Sequence, residues 1–349
     1  MRVLIVKLSA LGDIIHALPV LDYLHTVHPG IETDWIVEEN YRDVLEGNPL
    51  IKQLHVARTR KWRKNLFAAE TRKEIAELKL TLRQRKYDLA FDIQGNIKSG
   101  IVTALCGAEK RYGFDRQGVR EFPNILFTTN QVPLRRNDFH ITSRSLRVVS
   151  VPFGKDYQGM SFKTEIMTRR EDDAAAEAFL ATLSDGLVFV FHPGTTWETK
   201  LWHEAGWIEL GKRILEKYPD ATILLSSGND SERAVADRIS SGVGKSARPL
   251  PKLPIKTLAA FLKKADLVIG GDTGPVHMAA AVGTPTVSFY RVTDAKRNGP
   301  VGDNHLHVQS PMHCTACLRK ECDKDAACRE SIKAEYIMKG VEKILSGGR

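Results

Sequence analysis

Short apolar, β-branched runs alternate with longer amphipathic stretches along most of this chain. Val3–Val6 reads as a buried strand, followed by a turn containing Gly12 and a helix through Ile14–Leu24. Trp35–Val37, Leu54–Val56 and Leu89–Asp92 read as further strands. Glu70–Arg85 has helical spacing, with Ile75, Leu78 and Leu82 on one face. The pattern weakens across residues 128–185 and restarts at the continuous apolar run Leu187–Phe191. From there it predicts helices over Trp207–Lys217, Ser231–Ser240, Leu258–Lys264 and Val276–Val282. Strands are predicted at Thr222–Leu225, Leu267–Gly270 and Thr286–Phe289. In the tail, Ile332–Leu345, the residues Ile337, Val341 and Ile344 share a face and predict a closing helix.

Strands separated by helices imply βαβ units and parallel sheets, so the fold class is α/β. A length of 349 residues suits two domains, at roughly 100–200 residues each. The expected division is a domain over 1–165, a linker over 166–186, a second domain over 187–330, and a helix over 331–349 packing back on the first domain. No apolar run approaches the ~18 residues that would span a bilayer. The opening stretch is short for a signal peptide and Lys7 interrupts it, which predicts a cytoplasmic protein.

Charge sharpens this picture. The net formal charge is +9, and residues 58–86 hold 11 basic side chains against three acidic ones. Nearly all the excess is therefore local. Arg60-Lys61-Trp62-Arg63-Lys64, followed by Phe67, mixes cations with aromatics, as segments that bind anionic lipid do. A solvated charged face and a nucleic-acid surface are the competing readings, although no nucleic-acid motif accompanies the run.

Ligands of doubly wound sheets bind beyond the strands' carboxyl ends, so candidate chemistry is sought there. After the first strand come Lys7, Gly12 and Asp13; Asp13 suits either a general base or a helix cap. After Leu187–Phe191, the loop His192-Pro-Gly-Thr195-Thr196-Trp-Glu-Thr-Lys200 offers two hydroxyls and an ammonium to a phosphate, or is simply a polar loop. Gly271-Asp272-Thr273-Gly274-Pro275-Val-His277 opens a helix whose free N–H groups and dipole favour an anion. Walker A and Gly-x-Ser-x-Gly motifs are missing. The one Gly-x-Gly-x-x-Ala match, Gly242–Ala247, follows a predicted helix rather than a strand. Four cysteines, Cys314, Cys317, Cys322 and Cys328, crowd a short stretch. Zinc, an iron–sulfur site, transient disulfides and plain thiols all remain open.

The Lys7…Gly12-Asp13 opening, Lys200-x-Trp202 and Asp272-Thr-Gly-x-x-His277 resemble glycosyltransferase family 9, the bacterial ADP-heptose transferases of lipopolysaccharide assembly. Trp35-Ile-Val-Glu-Glu39, Arg60–Lys64, Phe91-Asp-Ile-Gln94-Gly95-x-x-Lys98-Ser99 and Arg120-Glu121 resemble the subgroup adding the first heptose to the Kdo sugars of the inner core. The resemblance implies a GT-B fold: two Rossmann-like domains with parallel sheets facing a central cleft, and a closing helix. It implies Asp13 as base, and Thr195, Thr196, Lys200, Asp272, Thr273, Gly274 and His277 on the ADP diphosphate. Leu253 would lie near the adenine and Glu232 near the ribose. Lys7, Gly12, Arg60, Arg63, Lys64, Lys98 and Arg120 would meet the anionic acceptor.

On this basis the expected reaction is an inverting heptosyl transfer from ADP-heptose to Kdo-lipid A, without a metal or other cofactor in catalysis. It would run at the cytoplasmic face of an anionic inner membrane, with no nucleic-acid partner. A second-heptose transferase, another sugar-nucleotide transferase of the family, a catalytically silent nucleotide-binding module and a basic nucleic-acid-binding protein are the alternatives. One departure stands out. The family often shows Tyr/Phe-Gly-x-Thr-Asp-Pro after its last strand, where this chain has Tyr290-Arg291-Val-Thr293-Asp294-Ala295.

Overall fold

A computed structural model describes residues 1–183 and 185–347. It divides into two compact units, Met1–Met167 and Thr168–Arg349. The first holds strands β1 (Arg2–Val6), β2 (Glu32–Glu38), β3 (Gln53–Ala57), β4 (Leu89–Asp92), β5 (Lys110–Phe114) and β6 (Asn130–Val132). They form one sheet in the order β3-β2-β1-β4-β5-β6, parallel throughout. Strands covered on both faces need apolar side chains at every position. β1 meets that demand, since Val3, Leu4, Ile5 and Val6 are all fully buried.

The second unit repeats the plan. Its strands are β7 (Val188–His192), β8 (Thr222–Leu225), β9 (Ala247–Pro249), β10 (Leu267–Gly271), β11 (Thr286–Tyr290) and β12 (His305–Gln309). The order is β12-β11-β10-β7-β8-β9, again parallel. In both units the chain steps outward from the first strand, then crosses back over it, which is the doubly wound Rossmann-like arrangement.

Several elements differ from the sequence expectation. The helix predicted over Ile14–Leu24 is two helices, Leu11–Ile15 and Pro19–Val27. Pro19 lacks an N–H and cannot continue the first, but it suits the opening turn of the second. Strands β5, β6, β9 and β12 carry too much polarity to be read as buried runs. β6, β9 and β12 are edge strands or short ones, and Pro249 is tolerated because β9 has no outer neighbour.

The stretch expected as a linker contains the helix Arg170–Leu180. It packs on the helix Ile255–Lys264 through an edge-to-face Phe179–Phe261 pair, with ring centroids 5.3 Å apart. Thr257 Oγ1 donates to Asp172 Oδ1 at 2.6 Å beside it. The tail helix, Ala334–Gly347, was expected on the first domain. Instead Ile337, Met338 and Val341 are buried in the core of the second unit with Trp207, Val287 and Phe289.

Candidate active site

In each sheet the strand order reverses at one place, between β1 and β4 and between β7 and β10. Gly12, Asp13, Lys98, Thr195, Thr196, Lys200 and Asp272–His277 lie just beyond those strands' carboxyl ends, whereas Arg60, Arg63 and Lys64 follow β3, and Arg120, Glu232 and Leu253 follow β5, β8 and β9.

In the first unit Gln94 ties the two loops together. Its Oε1 accepts from the backbone N–H groups of Leu8 and Ser9 at 2.7 and 3.0 Å, and its Nε2 donates to Ser9 Oγ at 3.3 Å. Lys98 Nζ donates to the same hydroxyl at 3.1 Å. Beneath them the fully buried Asp92 accepts from the N–H of Gln94 and of Gly95, from Ser99 Oγ and from Asn124 Nδ2. Burial pushes its carboxyl up despite these bonds. Gly95 turns the chain at φ +74°, with Phe114 and the Arg120 N–H against it, so a side chain there would be both strained and crowded.

Asp13 sits half-buried on the third residue of the helix Leu11–Ile15, its Oδ2 3.4 Å from the Ala10 N–H. Gly12 lies beside it in the same helix. Lys7, expected on the acceptor, is only 4% exposed, and its ammonium donates to Ile93 O at 3.0 Å. That places Lys7 under the loop rather than in front of it.

The remaining cations are brought together. Lys98 is half-buried, and its ammonium is held below the ordinary amine range, first by burial and then by the charges of Arg60, Arg63 and Arg120. Glu38 opposes the shift, and its carboxylate is buried, accepting from the Thr59 hydroxyl. Cations from three separate segments of the chain therefore share one electrostatic environment. Lys64 is exposed at the end of the helix Thr59–Lys64. Much of the neighbouring charge is consumed locally: Arg58 pairs with Glu39 and Glu74, and Lys61 with Glu70 and Glu74.

In the second unit Lys200 Nζ donates to Asp272 Oδ2 at 2.7 Å and to Asp272 O at 3.2 Å. The other carboxylate oxygen is 3.0 Å from His277 Nε2, and Asn298 Nδ2 donates to Oδ2 at 3.2 Å. Burial alone would raise the Asp272 carboxyl, but the bond to His277 and the charges of His277 and Lys200 outweigh it. The group is held far below the carboxylate range. Asp272 is thus a firmly ionised anchor for a lysine and a histidine. Its partners, rather than its own oxygens, are suited to an anion.

Thr273 caps the helix Gly274–Ala281 with extended backbone and Pro275 in its first turn. The hydroxyls of Thr195 and Thr196 lie on the loop after β7, half-buried and exposed respectively. Glu232 crowds Gly194: a Cβ there would stand 2.4 Å from the carboxylate carbon. Glu232 also accepts from the Gly228 N–H at 2.7 Å, which fixes it at the ends of β7 and β8. Leu253 is half-buried in the segment after β9.

The residue at the family departure has a defined role. Arg291 is buried; it donates to Leu201 O, and to Asp325 Oδ1 and O at 2.6 and 2.8 Å. Arg329 holds the second Asp325 oxygen at 2.6 Å. Thr199 Oγ1 donates to Arg319 O at 2.7 Å. The cysteine-rich stretch is therefore fastened to the Lys200 loop by hydrogen bonds. Lys320 and Lys200 both lie over the Trp197 ring, 5.2 and 5.1 Å from its centroid.

Of the readings left open for Cys314, Cys317, Cys322 and Cys328, a metal site finds no assembled ligand set here. All four thiols are free; Cys314 is exposed and Cys328 buried, 3.9 Å from Ser310 Oγ. Among the described residues no group of three or more His, Cys, Asp or Glu is placed to hold a metal ion. The segment is held by Arg291, Val292 and Thr199. Sequence reasoning missed Asn298 and Lys320, and it named Arg291, Gln94 and Glu38 only within motifs, without a role. The polar residues placed just after strands, Glu38 and Gln94, were the signals available.

The glycosyltransferase family 9 (heptosyltransferase) model matches residues 75–327. The chain is 34% identical to lipopolysaccharide heptosyltransferase 1 of Pseudomonas aeruginosa, over 92% of this chain and 87% of that one. It is 30% identical to the Escherichia coli K12 protein of the same name, over 89% and 94% of the two chains. Among solved structures it resembles the E. coli heptosyltransferase WaaC with ADP, at 28% identity and a TM-score of 0.80, covering 99% of this chain and 100% of that one. E. coli heptosyltransferase II, at 15% identity and a TM-score of 0.79, shares the fold. With two parallel six-stranded sheets in the GT-B arrangement and a family match across most of its length, the chain belongs to glycosyltransferase family 9, the heptosyltransferases.

Proposed function

We propose that this glycosyltransferase moves L-glycero-D-manno-heptose from ADP-heptose to a Kdo residue of the lipopolysaccharide inner core, by one inverting displacement that needs no divalent metal. The observation that carries the reading is the Lys200–Asp272–His277 cluster at the opening of the helix Gly274–Ala281. It would offer a preorganised ammonium and imidazole to a leaving diphosphate. Similarity to the E. coli WaaC structure with ADP-2-deoxy-2-fluoro heptose, at 28% identity, supports the donor. The 30–34% identity to proteins named heptosyltransferase 1 supports the first-heptose acceptor over the second.

In this reaction an acceptor hydroxyl oxygen attacks the anomeric carbon as the bond to the β-phosphate oxygen breaks. Asp13 takes the hydroxyl proton, a contribution of about 10²–10⁴-fold. Charge accumulating on ADP meets the Lys200 ammonium, the threonine hydroxyls of the β7 loop and the first N–H groups of the helix. Asp272 keeps Lys200 and His277 aimed, and Glu232 takes the ribose hydroxyls. Lys98, Arg60, Arg63, Lys64 and Arg120 hold the carboxylate- and phosphate-bearing acceptor, and the enzyme works at the cytoplasmic face of the inner membrane. No helix among the described residues is long and apolar enough to cross a membrane, so that association is peripheral in this reading.

The test is incubation with ADP-heptose and Kdo-lipid A, with and without EDTA, comparing wild type with Asp13→Ala. Wild type should form the heptosylated product equally in EDTA, with inverted anomeric configuration, and the variant should lose most turnover. Loss in EDTA with recovery in magnesium would refute metal independence. Equal rates for both proteins would remove Asp13 as base, and no product from wild type would overturn the substrate assignment.

A further inference from the structure

The helix Ile97–Leu105, which carries Lys98, packs closely on the 3₁₀ helix Phe122–Phe127. Their contact is close: a Cβ on Gly100 would stand 2.5 Å from the Phe127 ring and 2.9 Å from Asn124 Nδ2. Asn124 Nδ2 donates to Asp92 Oδ2 at 2.7 Å and to Asn96 O at 2.8 Å. Glu121 Oε2 accepts from the Ile97 N–H at 2.8 Å, closing the other end.

This well-anchored pair nevertheless turns four large apolar side chains outward. Ile97 and Ile101, one helical turn apart, are 40% and 47% exposed; Phe122 and Leu126 are 51% and 77% exposed. Single exposed apolar residues are ordinary on a protein surface, but four on two packed elements make a patch. Cations border it. Lys98 lies between the two isoleucines in sequence, Arg120 precedes Phe122, and the Arg116 guanidinium covers the Phe122 ring at 5.0 Å from its centroid.

Apolar side chains flanked by cations match the boundary of an anionic bilayer, where the former enter the acyl edge and the latter meet lipid phosphates. We propose that Ile97, Ile101, Phe122 and Leu126 rest on an anionic phospholipid surface, with Arg116 and Arg120 at headgroup level. This rests on the acceptor reading above and adds to it. The patch, rather than the cation-rich segment 58–86, is the lipid contact. It would bring the Lys98 cluster to an acceptor that stays embedded in its membrane.

The experiment is co-sedimentation of the full-length protein with phosphatidylglycerol–phosphatidylethanolamine vesicles and with phosphatidylcholine vesicles. Wild type is compared with Leu126→Asp, with Ile101→Asp/Leu126→Asp and with the milder Leu126→Asn. Wild type should prefer the anionic vesicles, and the double variant should bind about tenfold more weakly or less, with Leu126→Asn between them. Melting midpoints should be unchanged, as should transfer to a deacylated, soluble Kdo acceptor, while transfer to vesicle-embedded acceptor falls. Equal vesicle binding by all proteins, or no binding by wild type, overturns the proposal. Loss of activity on the soluble acceptor would make the patch part of the sugar site instead. A wild-type dimer that the variants dissociate would make its occupant a second copy. Failure of wild type on every acceptor would count against the substrate reading, while the vesicle measurement would still decide the patch.

Discussion

Lys200 and Asp272, 72 residues apart, form an ion pair of 2.7 Å that ties the loop after β7 to the loop after β10. Lys200→Met removes a cation aimed at developing charge, so kcat should fall about 10²–10³-fold. Asp272→Asn keeps the shape but strands a mostly buried ammonium. It should lower kcat and also destabilise the fold by about 3 kcal/mol. Steady-state kinetics and urea melts on both variants check this; an Asp272→Asn protein of wild-type stability would show that the pair is not needed for folding.

Gly194→Ala offers a way to move Glu232 without replacing it. The new methyl would collide with the carboxylate, which is the mobile end of a side chain, so the protein should fold normally. If Glu232 holds the ribose, KM for the nucleotide sugar should rise about tenfold with kcat little changed, the signature of lost uniform binding. Unaltered KM would remove Glu232 from the donor site.

Acid should weaken the second unit. His305 is largely buried beside Thr286, and burial together with the His307 charge lowers its pKa from 6.5 to about 4. A folded pKa below the unfolded one means the neutral ring is favoured in the fold. That stability is complete above pH 6.5 and is lost as pH falls from 6.5 toward 4, by about 2 kcal/mol after allowance for partial solvation. Melts across this range should fall less steeply for His305→Gln; identical slopes would exclude His305 as a source.

Arg291→Ala deletes the buried cation between Leu201 O and Asp325. About 3 kcal/mol of stability should go with it, since an ion-pair partner is removed from the interior. Protease should then cut the 314–325 stretch faster, and because that stretch is bonded to the Lys200 loop, kcat should drop as well. Unchanged proteolysis would contradict the clamp.

The fold was legible where burial demands a run of apolar residues, as at Val3–Val6 and Leu187–Phe191. It was illegible where sheet edges relax the demand, as at His305–Gln309 with its alternating polarity. The candidate residues of the strand-end loops could be named from sequence because anion chemistry would use recognisable residue types there, such as Lys200 and the glycines around Asp272. What sequence could not supply was the partnering. Nothing local says that Lys98 shares a field with Arg60, Arg63 and Arg120, that Lys7 points beneath its loop, or that Asp272 is saturated by its neighbours. The cysteine spacing invited a metal, but spacing cannot report whether thiols converge.

Arg291 also bears on engineering within the family. Its contacts tie the 314–330 segment to a single residue after β11. A chimera that receives this segment but carries glycine at position 291 would leave Asp325 with Arg329 alone and Leu201 O without its donor. The reciprocal chimera, with Arg291 but a segment lacking Asp325, would bury an uncompensated guanidinium. Loop exchange should succeed only when Arg291 and Asp325 travel together.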